Sequence, residues 1–438
     1  MKKSLCNLFS AALLLALSST VASAETLLES TTILKIESRD VSGFKKLDIW
    51  PATQFLGLEA NKLADGNLSL HLYGWGRVDL FDKSYNNDTI DGSLTYGYLQ
   101  YRSKNANADL RLGRFFIHEG IINEQVDGLS VQSDLPYGFG ITAFGGANVH
   151  SRHLFGETSD GKGDGIMGGR LNYRYRGKLE LGFSGIYEST APTLINFSNA
   201  DHRLLGGDIW FSPHRMITLA GHTSYNTETR TASDHFYQLT VNPVKELVLT
   251  AFFNEQRDRS YFYGWSMLSG ASLNPSDKSR SIGGSATYTI SKLFEVTGDY
   301  KHYTRELGAA DRFGGDARLN LVGNTIRGGV AYHYLRADNG FALSGTNSAS
   351  YHELRAYLML DTKSFFGAVD GIDYIFKDRI YNVKSAWEAT GSLGYHITPN
   401  LALSGDISYG RNPEFTEELR GLLRLTYTTD FIGKGGSK

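Results

Sequence analysis

Hydrophobic and polar residues alternate singly along most of the chain. In the segment 394–410, GYHITPNLALSGDISYG, Tyr395 and Ile397 alternate with small or polar residues before a turn at 398–400, and Leu403 and Ile407 do so after it. A period of two places successive side chains on opposite faces of a strand, so the segment predicts a β-hairpin. The same unit recurs roughly every 20–30 residues, a spacing typical of repeated supersecondary units.

The connections between the predicted strands fall into two alternating classes. The short ones lie at 105–107, 134–138, 176–178, 212–215, 242–245, 291–292, 323–324 and 398–400. The long ones are predicted at 83–91, 149–164, 190–202, 227–233, 256–280, 305–312, 337–349, 377–385 and 411–417. Outer-membrane barrels have short turns at the periplasm and long loops outside, with strands of about 9–11 residues.

This pattern predicts an all-β fold, a transmembrane antiparallel up-and-down β-barrel with short periplasmic turns and long extracellular loops. Residues 67–431 contain about 20 predicted strands of spanning length, and a weaker pair at 33–37 and 54–58 brings the count to about 22. Residues 25–66 are either a periplasmic N-terminal segment or that weaker pair. Residues 432–438 are predicted to be a flexible periplasmic tail, and both termini are placed in the periplasm.

The charged rows of the predicted strands are expected to face a polar lumen, because a charge on the lipid face at the membrane midplane costs about 2–4 kcal/mol. The predicted pore-lining residues are Arg111, Arg170, Arg174, Asp208, Glu295, Asp299, Lys301, Asp316, Arg318, Arg327, Glu353, Arg355, Asp406 and Arg424. Two interpretations are open for each residue. It can form part of a charged ring that selects solutes, or of an interstrand ion pair that fills and rigidifies the wall.

The N-terminus has the pattern of a secretory signal peptide. A basic start, an apolar run at 8–17 and the small residues Ala22-Ser23-Ala24 predict removal of residues 1–24. The single cysteine, Cys6, lies in this segment, so a cleaved chain would have no disulfide, no cysteine-bound metal and no covalent haem. With 49 Gly, 25 Tyr and 24 Phe, the composition favours strands, and a net charge of −2 indicates no nucleic-acid partner.

No motif predicts catalysis, a cofactor or a metal site. His150 and His153 lie three apart in a long predicted loop near Asp160 and Asp164, a spacing that specifies no metal geometry. The longest predicted loop contains an aromatic cluster, Tyr261, Phe262, Tyr263 and Trp265. This cluster is expected to constrict the pore, contact a partner or pack on neighbouring loops.

Certain segments resemble bacterial outer-membrane barrels. The last predicted strand, LRLTYTTDF, carries Tyr427 and ends on Phe431, which resembles the C-terminal signal read by the barrel-assembly machinery, although IGKGGSK follows it. LGRFF at 112–116, DLPYGFGITAFGG at 134–146 and YGRNPE at 409–414 resemble uncharacterised barrels of metal-reducing Gram-negative bacteria. The resemblance implies an outer-membrane protein surrounded by lipid and delivered by periplasmic chaperones. Some such barrels sheathe multihaem c-type cytochromes.

Two main functions follow from this fold. Barrels of 22 strands can hold a plug, but the residues before the first clear strand are too few to form one. We therefore predict a non-enzymatic porin-like channel for small hydrophilic solutes. The alternative is a sheath that houses a multihaem cytochrome, and a third class is an adhesive barrel whose loops bind a phage or a matrix.

Overall fold

The computed structural model describes most of the chain between residues 25 and 432. The described ranges are 25–41, 47–63, 66–83, 89–103, 105, 107–149, 165–192, 199–228, 230–257, 278–305, 308–322, 325–338, 350–413 and 415–432. The predicted signal peptide, His150, His153, the aromatic cluster at 261–265 and all but the first residue of the predicted tail lie outside them.

The described residues form one antiparallel sheet of long strands. In chain order the strands are β1 (Glu25–Val41), β2 (Leu47–Ile49), β3 (Pro51–Leu63), β4 (Leu68–Asp79), β5 (Ile90–Arg102), β6 (Ala108–Glu119), β7 (Ile122–Asp134), β8 (Phe139–Asn148), β9 (Gly165–Tyr175), β10 (Leu179–Pro192), β11 (Asn199–His214), β12 (Ile217–Asn226), β13 (Thr231–Val244), β14 (Leu247–Gln256), β15 (Ser279–Ser291), β16 (Phe294–Arg305), β17 (Gly308–Leu321), β18 (Ile326–Ala337), β19 (Tyr351–Asp361), β20 (Phe365–Ile380), β21 (Val383–Thr398), β22 (Leu401–Arg411) and β23 (Phe415–Ile432). A short 3₁₀ turn, Pro136–Gly138, connects β7 to β8.

The sheet closes on itself as a barrel. Each strand pairs with its neighbours in the sequence, and β23 pairs with β1 from Glu25↔Ile432 to Val41↔Phe415. The short β2 and β3 pair with β1 in one continuous register, interrupted only at Trp50, so they form a single wall strand. The 23-stranded sheet is therefore a barrel of 22 wall strands. This is the higher of the two predicted strand counts. The weaker predicted pair lies within β1 and β3.

The two ends of the barrel differ in their connections. At the end that carries Glu25 and Ile432, here called the terminal end, every connection is short, as between His214 and Ile217 or Thr398 and Leu401. The long connections lie at the opposite end, the loop end, where β14 stops at Gln256 and β15 starts at Ser279.

Four of the predicted long loops are wrong. The connections predicted at 305–312, 377–385, 411–417 and 227–233 are short, because the flanking strands run further than their alternating pattern shows. Pairing continues to Arg305↔Gly308 and Ile380↔Val383. In the third case β22 extends to Arg411 and β23 already starts at Phe415.

The faces of the wall have opposite character. Large apolar side chains such as Leu112, Phe183, Val330, Leu393 and Ile407 are exposed on the outer face. Charged side chains occupy the inner face, as the alternation predicts. Tyr427 is exposed on the outer face near the terminal end, and the backbone of Phe431 pairs with Thr26 at the closing seam. In the described part of the chain, no helix is long and apolar enough to cross a membrane.

Candidate functional site: a hairpin folded into the lumen

The strand register places all the predicted pore-lining residues on the inner face. These residues are Arg111, Arg170, Arg174, Asp208, Glu295, Asp299, Lys301, Asp316, Arg318, Arg327, Glu353, Arg355, Asp406 and Arg424. They are distributed around the circumference and do not converge on one point. The described residues also contain no group of three or more potential metal ligands.

Most of these charges form ion pairs along the wall. Arg355 on β19 donates to Asp370 on β20 at 2.9 Å, and Arg318 on β17 reaches Glu295 on β16 at 3.4 Å. The guanidinium of Arg312 lies 3.1 Å from Asp299. These pairs join adjacent strands and do not cross the lumen.

The other contacts of the predicted residues are pairs within one strand, longer ion pairs or contacts with aromatic rings. Arg111 lies 3.3 Å from Asp109 on its own strand, and Glu353 lies 3.6 Å from Arg312. Arg318 also contacts Asp316 at 3.0 Å, and Arg327 reaches Asp361 at 3.9 Å. Lys301 lies over the rings of Phe252 and Tyr303. In the described ranges, Arg424 and Asp406 have no ion pair.

One hairpin departs from the wall. β6 pairs with β5 only as far as Arg114↔Gly97, and beyond that point it pairs with β7 alone, up to Glu119↔Ile122. β7 rejoins the wall at Val126, opposite Asn148 of β8. We call residues 114–127 the inner hairpin, because its contacts place it inside the barrel.

An apolar cluster holds the inner hairpin against the inner wall. Phe115, Ile117, Ile122 and Val126 of the hairpin are at most 3% exposed. They pack with inner-face residues of four wall strands, namely Phe144, Ile166, Ile186 and Leu204. Burying such side chains contributes about 1.5–3 kcal/mol each relative to leaving them exposed to the water of the lumen. The cluster therefore favours the folded-in position.

Polar contacts fix the tip of the hairpin at mid-wall. Arg170 of β9 lies 3.2 Å from Glu119 and donates two bonds to Asp208 of β11, at 3.0 and 2.5 Å. A further bond of 2.8 Å joins Arg170 to Glu180. The backbone N–H of Ile121 donates to the Ser184 hydroxyl at 3.2 Å. With its side chain only 8% exposed, Arg170 is the cation that links hairpin and wall.

The departure of the hairpin leaves backbone carbonyls of β5 without strand partners, and side chains of the hairpin bond to them instead. Arg114 donates to the Leu94 carbonyl at 2.9 Å and pairs with Asp127 through two bonds. Gln125 donates to the carbonyl of Thr95 at 2.5 Å. An unsatisfied backbone group in a membrane wall costs several kcal/mol, so these bonds permit the strand to separate here.

The opposite face of the hairpin is exposed toward the pore axis. Phe116 and His118 are exposed, with their rings 5.9 Å apart and nearly parallel. Asn123 is exposed on the same face. The hairpin thus presents an aromatic, titratable and amide-bearing surface to the lumen.

The sequence contains a signal for this hairpin that our sequence analysis missed. Before Gly113, leucines occupy the outward positions and charges the inward ones. From Arg114 to Asp127 the order reverses, with Phe115, Ile117 and Val126 at inward positions. A reversed alternation between two points of normal alternation indicates a segment that has left the wall. A constriction was one of three roles considered for Tyr261, Phe262, Tyr263 and Trp265, and these residues lie outside the described ranges.

Replacing Gly113 by alanine is expected to destabilise the barrel by about 1–3 kcal/mol. Gly113 has φ +129° at the bend, and a Cβ there would collide with the carbonyl oxygen of Gly97. Gly371→Ala is the matched control, because its Cβ would meet nothing within 4 Å. Urea unfolding in detergent would measure both, and equal midpoints for the two variants would contradict the bend geometry.

Comparison with known proteins supports the architecture. No family model and no curated protein matches the sequence. The fold is similar to that of the ferric enterobactin receptor PfeA of Pseudomonas aeruginosa, crystallised as a mutant, with a TM-score of 0.55 and 11% identity over 93% of this chain and 81% of the receptor. OccK3 (OpdO) of the same organism gives a TM-score of 0.45 and 12% identity over 95% and 98% of the two chains. OccAB4 of Acinetobacter baumannii gives a TM-score of 0.46 and 11% identity, over 94% of this chain and 100% of OccAB4.

The fold therefore defines the class of the protein. A closed antiparallel barrel with an apolar exterior and a charged interior is a transmembrane β-barrel of the outer-membrane type. Barrels of this type lie in outer membranes, and this fold places the protein there.

Proposed function

We propose that the protein is a passive channel for small hydrophilic solutes, with the inner hairpin as a constriction. The observation that carries the proposal is the direction of the lumen ion pairs. Pairs such as Arg355 with Asp370 run between neighbouring strands and keep the charged groups of the described strands at the wall and away from the axis. In the described part of the barrel, the hairpin at 114–127 is the element that departs inward.

The orientation in the membrane follows from the connections. Because outer-membrane barrels have short turns at the periplasm, we place the terminal end, and with it both chain termini, in the periplasm. The loop end then faces the exterior. The inner hairpin enters the lumen from that side, so a solute arriving from outside meets Phe116 and His118 in the upper part of the channel.

The purified protein is expected to form stable single channels with weak ion selectivity. Both signs of charge line the wall and most are paired, so the reversal potential in a KCl gradient should be small. Planar-bilayer recording of heat-modifiable, haem-free protein measures both properties. A folded barrel that conducts nothing would contradict the proposal.

The cytochrome sheath stays a prediction with a separate test. A sheathed cytochrome would fill the lumen, and the protein isolated from native membranes would then carry haem absorbance in fixed stoichiometry. A haem-free preparation that conducts would favour the channel. The predicted assembly signal at Tyr427 and Phe431 and the predicted partners, lipid, assembly machinery and chaperones, are likewise part of the proposal.

A further inference from the structure

A group of aromatic side chains covers the inner face of β3, β4 and β5. Phe55, Tyr73, Trp75 and Tyr96 point into the lumen by register, together with His71 and Tyr98 in the next row. We call these six residues the aromatic patch. Each of them is half-buried, so part of every ring faces the lumen.

The rings of the patch support one another. Tyr73 stacks on Tyr96 with centroids 5.5 Å apart and planes 19° apart, and Phe55 lies 6.5 Å from Tyr73. His71 stacks on Tyr98 at 4.8 Å. Gly57 lies between Glu29 and Tyr73 in the register, and a Cβ on it would lie 3.0 Å from the Tyr73 ring. The missing side chain therefore leaves room for that ring.

Two carboxylates border the patch without a strong basic partner. Glu29 lies in the row of Tyr73 and Tyr96, and Glu59 lies in the row of His71. Among the described residues neither glutamate is within ion-pair distance of a lysine or arginine, and the imidazole of His71 lies 3.7 Å from Glu59. This differs from most of the lumen, where carboxylates are matched by arginines.

The chemistry of this surface fits an organic cation. Aromatic faces attract ammonium groups, and quaternary ammonium ligands are recognised by several rings together. Arg111 already lies over the Tyr98 ring at 5.9 Å, at the edge of the patch. Uncompensated carboxylates add a long-range attraction for positive charge. We propose that the aromatic patch, with Glu29 and Glu59, binds small quaternary or alkylated ammonium solutes during passage. This inference rests on the proposed channel function, because the ligand would reach the patch through the lumen.

The test compares choline with its neutral isostere, 3,3-dimethylbutan-1-ol. Choline is expected to bind the purified barrel in calorimetry and to reduce the channel current, and the alcohol to do neither. Tyr73→Leu and Tyr96→Leu should each raise the half-blocking concentration about two- to fivefold. Glu29→Gln with Glu59→Gln should weaken the block and lower its dependence on salt.

Matched variants lie on wall strands outside the patch. Tyr357→Leu removes an inner-face ring of β19, and Glu295→Gln with Asp370→Asn removes the same charge as the glutamate pair. Both should leave choline binding unchanged. Equal binding of choline and the alcohol, or equal loss in the patch variants and the matched variants, would overturn the inference. Binding without conductance would overturn the channel and leave the patch in place.

Discussion

Removing the tip of the inner hairpin is expected to raise the single-channel conductance about 1.5- to 2-fold, because a β layer about 10 Å thick leaves the lumen. In the variant, an Asn-Gly turn replaces residues 116–125 and joins Phe115 to Val126, which are already paired. The barrel wall is unchanged, since β6 and β7 meet their outer neighbours only up to Arg114 and from Val126.

The control for this deletion introduces the same Asn-Gly turn into another connection at the loop end of the barrel. Replacing Tyr381-Asn382 between β20 and β21 by Asn-Gly alters a tight turn that closes Ile380↔Val383. That variant should conduct like the unmodified protein. A folded, heat-modifiable deletion variant with unchanged conductance would show that residues 116–125 do not narrow the current path.

Replacing Arg170 by alanine is expected to lower the free energy of unfolding by about 3–5 kcal/mol, because three partly buried carboxylates lose their shared, buried cation. Glu119, Glu180 and Asp208 all converge on this one guanidinium. Loss of the Glu119 contact should also free the hairpin tip, which would appear as increased noise in the open-channel current.

Arg318→Ala is the matched control for Arg170→Ala. Arg318 also contacts two carboxylates, Glu295 and Asp316, but its side chain is 55% exposed. Exposed pairs contribute about 0–1 kcal/mol, so this variant should unfold close to the unmodified protein. Urea titration of both in detergent gives the comparison. A difference between them below about 1 kcal/mol would contradict the assigned role of Arg170.

The wall of the barrel was predictable from sequence because a period of two fixes which residues share a face. Leu319 and Leu321 on one side of β17 and Arg318 on the other follow from alternation alone. Strand ends were less predictable. At Arg305 and Gly308 polar residues continue the ladder beyond the apolar band, where alternation in hydrophobicity no longer marks the strand.

The inner hairpin was not predicted. Its reversed alternation indicates a segment that leaves the wall, but alternation cannot show which strands that segment then packs against. Arg170 and Ser184, which contact the hairpin tip, lie far away in the chain. The sequence alone therefore does not show where Ile117 and Ile122 pack. Ion pairs between strands cannot be predicted from alternation for the same reason. The partners of Arg170 lie on three strands, β6, β10 and β11, and only the folded arrangement brings Glu119, Glu180 and Asp208 together.

The most direct test of the channel with an inner hairpin is to modify one hairpin position during recording. His118→Cys places a thiol on the exposed face of the hairpin, in a chain whose natural cysteine lies in the predicted signal peptide. A bulky, charged, water-soluble thiol reagent should then reduce the single-channel current in one step, and a thiol reductant should restore it. Leu171→Cys, on the outer face, should give no step. A His118→Cys channel that is fully labelled with no change in current would contradict the account.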